Sequence, residues 1–209
     1  MKKKIAIFGS GEFGSLVTNI ISYNKDLKIC AYGDDSKKRI GGQINGIFIF
    51  NMINFIEFAK DNEISSIVCA IGDNNARSEK YNHLKGLGFE MLSLIHPKSL
   101  IDTNVTFGEN VIIEMGTSIH THSKIGNNVF LGGDALIGHH NIIGNHVLVG
   151  GNVSFGGSVI TKDFVTIGVG ASIKPGIEIG EGATIGVGAA VVKNVSPGTT
   201  VVGVPAKPI

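Results

Sequence analysis

The carboxyl-terminal half of the chain repeats a six-residue pattern of apolar and small side chains. Counting every sixth residue from Ile101 to Val191, 15 of 16 positions carry a bulky apolar side chain. Four places after each of these, the residue is small or β-branched in nearly every repeat, from Val105 to Val195. A six-residue period sustained over this length predicts a parallel β-helix, in which each repeat supplies one short strand and a turn and the stacked coils bury the inward side chains.

Three repeats make one coil of the predicted β-helix. At 18 residues per coil, the span from Ile101 to Ser196 forms between five and six coils, stacked about 4.8 Å apart. Glycine follows the bulky residue in 10 of 16 repeats. We expect a tight corner with positive φ at these glycines.

The amino-terminal half has a different pattern, in which short β-rich runs alternate with segments suited to helices. The β-rich runs are KKIAIFG, LKICAYG, IFIF, ISSIVCAIG and FEMLSLI, and the helical segments are 12–23, 52–60 and 75–87. This alternation is typical of βαβ units on a parallel sheet. We therefore predict an α/β plus β chain, with a small Rossmann-like domain over residues 1–98 and a β-helix domain over residues 99–209.

Composition and charge narrow the partners that such a chain can have. With 43% hydrophobic residues it can bury a sizeable core. Its 18 Lys and Arg residues nearly balance 17 Asp and Glu, and no basic run is longer than the one at residues 2–4, which argues against nucleic-acid binding. No segment is apolar enough for a signal peptide or a membrane span, so we expect a cytoplasmic protein. Cys30 and Cys69 lie in apolar runs and are expected to be buried and unreactive.

A glycine-rich loop follows the first predicted strand. Gly9, Gly11 and Gly14 form G-x-G-x-x-G at the start of a predicted helix, where glycines let the backbone approach a pyrophosphate that the helix N-terminus binds. Asp34 and Asp35 follow the second strand, about where NAD enzymes place a ribose-binding acid. A nucleotide-sugar site, an NAD site and a purely structural turn all fit the motif. Fewer than 100 residues precede the β-helix, which disfavours NAD because a second half-fold has no room.

A second polar loop follows the strand that ends near Ile71. Asp73, Asn74 and Arg77 are candidates for binding hydroxyl or phosphate groups at the same edge of the sheet. The alternative is structural, with Asp73 or Asn74 capping a helix and Arg77 exposed to solvent.

Two adjacent histidines interrupt the apolar repeat in the segment ALIGHHNIIG. Steps of 18 residues set His139 beside Gly157 of the next coil, and His140 beside Ser158 of the next coil and His122 of the preceding one. Neither histidine occupies an inward bulky position. Both are therefore expected on the outer surface of the β-helix.

Metal binding is one alternative for this half of the chain, which holds five histidines: His120, His122, His139, His140 and His146. Prism-shaped carbonic anhydrases bind zinc through three histidines at subunit interfaces. They share a histidine pair five residues apart, and no pair here has that spacing. The spacing argues against metal, and a solvated histidine face without a role is the second alternative.

The chain resembles the NeuD/PglD-like branch of the hexapeptide-repeat sugar acetyltransferases from end to end. The segments that carry the resemblance are IAIFGSGEFG, YGDD, AIGDNNAR, IHPKSLI, IGHHNIIG, IGVGASIKPGIEIGEGATIGVGAAVVKNV and GVPAKPI. The resemblance implies a left-handed β-helix, a homotrimer with active sites between neighbouring subunits, and acetyl-CoA as the acetyl donor. It also implies a nucleotide-sugar ligand for the glycine loop and the aspartates described above.

By the same resemblance, His139 matches the family's catalytic histidine. An amine is mostly protonated at neutral pH, and its attack on a thioester needs a base that titrates near neutrality, as histidine does. Related enzymes carry an acid at the next position, where this chain has His140. Asp134 and Glu114 are candidates for the missing acidic partner, with His140 in a supporting role.

The donor is expected along the later coils, with Gly157, Gly170, Ala171 and Lys174 as candidate acetyl-CoA-binding residues and no metal. The resemblance implies an N-acetyltransferase that acts on the 4-amino group of a nucleotide-linked 4-amino-4,6-dideoxy sugar in bacterial surface-glycan synthesis, such as lipopolysaccharide or capsule. A sialic acid O-acetyltransferase and a non-catalytic trimeric scaffold that senses nucleotides are the alternatives.

Overall fold

The chain forms two compact units that divide between Leu94 and Ile95. This division is seen in the computed structural model, which describes residues 2–209. Each unit has its own hydrophobic core. The two types of sequence pattern therefore correspond to two types of structure.

The amino-terminal unit is a six-stranded sheet with three helices. Its strands are β1 (Lys3–Phe8), β2 (Leu27–Gly33), β3 (Gln43–Ile44), β4 (Ile47–Phe50), β5 (Ser66–Cys69) and β6 (Glu90–Met91), and its helices are α1 (Glu12–Ser22), α2 (Met52–Asp61) and α3 (Asn74–Gly86). The strand order is β3-β4-β2-β1-β5-β6, parallel except for the β3–β4 pair. The Rossmann-like prediction is confirmed.

The central strand explains why this sheet forms. Residues 5–8 of β1 are all buried, as a parallel strand covered on both faces requires. The chain leaves β1 towards β2 on one side and returns to β5 on the other. A crevice at the carboxyl ends of β1 and β5 is the position where open α/β sheets bind ligands.

The carboxyl-terminal unit is a left-handed parallel β-helix, as predicted. Its two- and three-residue strands are β7 (Leu94–Ile95), β8 (Leu100–Ile101), β9 (Thr106–Phe107), β10 (Ile112–Ile113), β11 (Ser118–Ile119), β12 (Lys124–Ile125), β13 (Phe130–Leu131), β14 (Leu136–Ile137), β15 (Ile142–Ile143), β16 (Leu148–Val149), β17 (Ser154–Phe155), β18 (Ile160–Thr161), β19 (Thr166–Ile167), β20 (Ser172–Ile173), β21 (Glu178–Ile179), β22 (Thr184–Ile185), β23 (Ala190–Val191), β24 (Thr200–Val202) and β25 (Lys207–Pro208). They form three parallel sheets, closed by the antiparallel β24–β25 pair.

Register within these sheets follows the sequence period. Ile112 pairs with Phe130, and Phe130 pairs with Leu148, so partners lie 18 residues apart. The bulky residue of each repeat and the small residue four places later point into one continuous core, which includes Ile137 and Val147. Burial of these two apolar series on every coil is the main stabilisation of the β-helix.

The glycines after the bulky residues have a different role from the one predicted. Positive φ occurs two residues later, as at Asp134 (57°) and His140 (59°), and not at the glycines themselves. A Cβ at Gly126 would lie 2.6 Å from the carbonyl oxygen of Gly144 in the next coil. These glycines are therefore required by the close stacking of coils, and the expectation of positive φ there was wrong.

Candidate functional site

The amino-terminal unit holds a cavity of about 620 Å³ at the carboxyl ends of β1, β2 and β5. It is lined by the glycine loop, by the residues that follow β2 and β5, and by two side chains from neighbouring segments, Arg39 and Lys80. This position matches the crevice expected from the strand order. The sequence analysis did not single out Arg39 or Lys80, because neither belongs to a recognisable motif.

Each glycine of the loop is required for a different reason. Gly9 has φ of 111°, and a Cβ there would clash with the carbonyl of Ala70. A Cβ on Gly14 would clash with the carbonyl oxygen of Gly9. Gly11 has ordinary extended backbone, and a Cβ there would face the Arg39 guanidinium at 3.7 Å. Gly9 and Gly14 therefore maintain the turn, while Gly11 opens onto the cavity.

Asp34 fixes the glycine loop rather than presenting a free carboxylate. It accepts hydrogen bonds from the Ser10 backbone N–H (2.8 Å) and hydroxyl (2.5 Å), from the Ser36 N–H (2.7 Å), and from two Arg39 nitrogens (3.0 and 3.1 Å). Burial alone would raise the pKa of Asp34, but the hydrogen bonds from Arg39, Ser10 and Ser36 outweigh it and lower the pKa to about 2. Asp34 is thus ionised and fully engaged within the loop.

Asp35 is the more exposed of the two aspartates. Its carboxylate lies 2.9 Å from the Nζ of Lys80, which also contacts Glu79 at 2.9 Å. The hydrogen bonds to Asp35 and Glu79 raise the pKa of Lys80, so the lysine is charged. Asp35 and Lys80 together place one anion and one cation in the wall of the cavity.

Arg77 is neither a ligand-facing side chain nor a solvated one, so both interpretations from the sequence are corrected. It is 1% exposed, and burial lowers its pKa to about 10. Its guanidinium donates to the carbonyls of Ile71 (2.9 Å) and Gly72 (3.1 Å) and to Oδ1 of Asn74 (2.7 Å). Arg77 and the buried Asn74 therefore fix the loop after β5 from behind. Asp73 caps α3 by accepting from the N–H of Ala76 (2.8 Å).

In the carboxyl-terminal unit, His139 and His140 lie on one corner of the β-helix. We call it the histidine corner and define it as residues 138–140 together with residues 120–122 and 156–158 of the neighbouring coils. Both histidines are exposed, and a Cβ on Gly157 would overlap the His139 ring, so the ring lies directly against that glycine. The His140 and His122 rings are 4.9 Å apart. The stacking derived from steps of 18 residues therefore holds in the structure.

Asn141 secures the histidine corner from inside. It is fully buried, donates to the carbonyls of Gly138 (2.6 Å) and Gly156 (3.0 Å), and accepts from the Val159 N–H (2.7 Å). Asn141 was not among the residues predicted from the sequence. The available signal was an amide side chain in the inward series, where the other repeats have small or β-branched residues.

Asp134 and Glu114 do not partner His139. They follow β13 and β10 of a different sheet and lie at a different corner, where Glu114 accepts from the N–H of Gly133 at 2.9 Å. This correction follows from the repeat itself, because residues five positions apart fall near successive corners of the prism. Within residues 2–209, the single side-chain hydrogen bond of His139 is with His140, at 3.1 Å between the two Nδ1 atoms.

The candidate acetyl-CoA residues differ in accessibility. Gly170 has φ of 71° and faces open space, and Lys174 is exposed. Ala171 is fully buried in the β-helix core, and its carbonyl accepts from the N–H of Ser154. The prediction that the Ala171 side chain contacts acetyl-CoA is therefore wrong, because Ala171 belongs to the inward series of small residues.

Three further findings bear on the chemistry of the chain. Among residues 2–209, no three His, Cys, Asp or Glu side chains come together in a group suited to hold a metal ion. Within the same range, no helix has the length and apolar character needed to cross a bilayer. Burial raises the pKa of the Cys69 thiol to about 12, whereas Cys30 is only half-buried, contrary to expectation.

Comparisons with known proteins relate both units to sugar acetyltransferases. Residues 4–84 match the PglD N-terminal domain. PerB from Caulobacter crescentus, solved with CoA and GDP-perosamine, is 25% identical, with a TM-score of 0.92 over 99% of this chain and 97% of that one. The acetyltransferase domain of PglB from Neisseria gonorrhoeae is 25% identical over the full length of both chains, with a TM-score of 0.92.

A third similar structure is WeeI from Acinetobacter baumannii, which is 26% identical, with a TM-score of 0.89 over 98% of this chain and 99% of that one. A search of curated proteins finds no sequence match. The glycine-loop cavity, the histidine corner and the end-to-end similarity to these structures lead to one group of proteins. In its amino-terminal domain and in its whole fold, the chain is similar to the NeuD/PglD-like hexapeptide-repeat sugar acetyltransferases.

Proposed function

We propose that this protein is an acetyl-CoA-dependent N-acetyltransferase that acts on the 4-amino group of a nucleotide-linked 4-amino-4,6-dideoxy sugar. The observation that carries this proposal is the end-to-end likeness to PerB, whose crystals hold CoA and GDP-perosamine. The present chain has the same succession of a βαβ unit and a β-helix. Its product would enter a bacterial surface glycan, and its co-substrates make the cytoplasm the expected location.

The cavity of the amino-terminal unit is the proposed site for the nucleotide part of the acceptor. Gly11 leaves space for the pyrophosphate, and Arg39, which faces that glycine, adds positive charge. The N-terminus of α1 has no side-chain cap, so its N–H groups can bind a phosphate oxygen. Asp35 lines the same cavity and is the proposed partner for donors of the ribose or the base.

His139 is the proposed general base. Its exposed imidazole packs against Gly157, because the ring occupies the space that a side chain of that residue would fill. The neutral sugar amine attacks the thioester carbonyl, a C–N bond forms, and the amine proton passes to Nε2 of His139. The C–S bond then breaks, and the thiolate of coenzyme A takes that proton, which returns His139 to its neutral form.

The remaining site residues support this reaction in proposed roles. The backbone N–H of Gly157 stabilises the oxyanion of the tetrahedral intermediate. Gly170 and Lys174 contact the donor along the later coils. We also propose a homotrimer in which a neighbouring subunit completes each active site, because exposed Leu136 and Ile142 flank the histidine corner and give it an apolar rim.

The direct test is a panel of nucleotide-linked sugars assayed for release of free coenzyme A thiol from acetyl-CoA. The panel should contain UDP-, dTDP- and GDP-linked 4-amino-4,6-dideoxy sugars, their 4-hydroxy counterparts and free sialic acid. Amine-dependent turnover with at least one nucleotide sugar is the expected result. Thiol release with sialic acid alone, or with none of these acceptors, would contradict the proposal.

A further inference from the structure

A histidine that acts as a base through Nε2 must carry its own proton on Nδ1. That tautomer is set by a hydrogen-bond acceptor facing Nδ1, commonly a carboxylate or a backbone carbonyl. At the histidine corner the atom facing Nδ1 of His139 is Nδ1 of His140, 3.1 Å away. The two ring planes are nearly perpendicular, at 85°.

Two facing imidazole nitrogens can share only one proton. One nitrogen must therefore donate an N–H, and the other must accept with its lone pair. If His139 donates, its Nε2 is left unprotonated and available to an amine. If His140 donates, the proton of His139 must be on Nε2. The unprotonated nitrogen of His139 is then Nδ1, which accepts from His140 and is not available to the amine. Only the first arrangement is compatible with the proposed reaction.

The structure holds His140 firmly in the position of an acceptor. Its backbone has φ of 59°, in the left-handed region that His, Asn and Asp tolerate better than most residues. Its N–H donates to the carbonyl of Thr121 at 3.0 Å. Its ring packs against His122 of the preceding coil, with 4.9 Å between ring centres. These contacts place the exposed His140 ring next to His139.

We propose that neutral His140 is a positioning residue, which accepts a hydrogen bond at Nδ1 from the Nδ1–H of His139 and so selects the tautomer that acts as a base. This inference rests on the proposed function of His139. In it, a second imidazole takes the role that a carboxylate would have, and the proton of His140 is on its own Nε2. No net charge is needed beside the base in its resting state.

The arrangement makes the base sensitive to two protonation events. Protonation of His139 removes the base, and protonation of His140 removes the acceptor and places two N–H groups face to face. The groups that face His140 are His139 on its own coil, His122 on the preceding coil and Ser158 on the following one, and none of them is a carboxylate. Asp102 is a carboxylate that reaches this corner, where it accepts from the backbone N–H of Thr121 at 3.1 Å rather than from either of the two imidazole rings.

Three substitutions at position 140 distinguish the loss of a hydrogen-bond acceptor from a disturbance of the turn backbone. His140→Asn keeps a neutral acceptor, His140→Asp supplies an anionic one, and His140→Gly supplies none, while all three residues suit positive φ. We expect His140→Gly to lower kcat by about 10- to 100-fold with KM changed less than threefold, and His140→Asn to lose less than tenfold. His146→Asn is the matched control, since His146 has a similar positive φ (58°) at another corner, and its expected loss is below threefold.

The pH profile of kcat/KM distinguishes positioning from a merely structural role. In the wild type the acid limb should be steeper than in His140→Asn, because protonation of either imidazole inactivates the pair and the variant has lost one of them, while the substrate amine contributes equally to both profiles. His140→Asp should move the limb to higher pH, since a carboxylate stabilises protonated His139. Equal losses of kcat in the Asn and Gly variants, with the slope of the acid limb unchanged from the wild type, would overturn the proposal.

A second measurement does not depend on the substrate. Nitrogen NMR of ¹⁵N-histidine-labelled protein near pH 8 should show His139 protonated at Nδ1 and His140 protonated at Nε2, with the His139 signal assigned through the variants. His139 protonated at Nε2 would overturn the positioning role even if the acetyltransferase assay succeeds. Absence of turnover with the expected tautomers would contradict the proposed function alone.

Discussion

At the scale of single residues, the glycines of the loop have two different roles, one in ligand binding and the other in folding. Gly11 has ordinary backbone, and a Cβ there would make only a van der Waals contact with Arg39, whereas Gly9 and Gly14 approach neighbouring backbone too closely for any side chain. The motif alone treats the three positions as equivalent. Substitutions at Gly11 and Gly14 should therefore fail in different ways.

Gly11→Val should leave the protein folded and remove binding of the nucleotide sugar. The valine side chain would fill the space proposed for the pyrophosphate, and its backbone region is allowed at this position. Calorimetry should show that the acceptor binds at least 100-fold more weakly, while the affinity for acetyl-CoA changes less than threefold. Gly14→Ala is the matched control, which should lower thermal stability. Weaker acetyl-CoA binding with an intact acceptor site would contradict the assignment of the cavity.

Asp34→Asn should destabilise the protein in a pH-dependent way. A carboxyl whose pKa is about 2 when folded and 3.8 otherwise contributes about 2 kcal/mol of stability above pH 4, which is lost as the pH falls towards 2. Urea unfolding at pH 7 should therefore show a deficit of about this size, and the deficit should shrink in acid. Asp35→Asn, at an exposed ion pair, should cost less than about 1 kcal/mol. A deficit for Asp34→Asn that does not change with pH would contradict this account.

Residue roles were the least predictable part of the chain. Arg77 follows a polar loop in the sequence, yet its guanidinium points into the protein, and no local pattern distinguishes a buried arginine from a surface one. Arg39 reaches the glycine loop through a contact with Gly11 that joins distant parts of the chain. By contrast, the neighbours of His139 were predictable, because a strict repeat converts sequence separation into spatial contact.

At the scale of the elements, the corners of the β-helix have two backbone requirements. The residue after each bulky side chain must be small where the next coil approaches, and the residue two places later adopts positive φ. Asn, Asp, His and Gly are frequent at that second position, which the left-handed region explains. The sequence predicted the coils but assigned positive φ to the wrong glycines, since glycine satisfies both requirements.

Gly126→Ala and Gly182→Asn test this distinction. A Cβ at Gly126 would meet the backbone of Gly144, which should cost about 2–3 kcal/mol and lower Tm by about 4–12 °C. Gly182 has φ of 65° with open space around it, so asparagine there should cost less than about 1 kcal/mol. Thermal unfolding followed by circular dichroism checks both. A larger loss of stability for Gly182→Asn than for Gly126→Ala would contradict the requirements assigned to the two positions.

At the scale of the whole molecule, the apolar rim of the histidine corner leads to a prediction about assembly. Sedimentation equilibrium should give about three times the 21.9 kDa mass of one chain. Ile142→Glu introduces charge into the apolar rim of the histidine corner and should weaken the trimer and turnover together. Ile53→Glu, on the exposed face of α2 and away from both proposed binding sites, is the matched control and should change neither. Full turnover by a stable monomer would contradict an active site shared between subunits.

The central claim is that His139 is the base of an N-acetyltransferase. The most direct measurement compares kcat for acetyl transfer to the best nucleotide-linked amino sugar between the wild type and His139→Asn, with both substrate affinities measured by calorimetry. The account predicts a loss in kcat of about 10² to 10⁴, with both dissociation constants changed less than threefold. Near-normal turnover by His139→Asn, above all if His140→Asn is inactive, would contradict it.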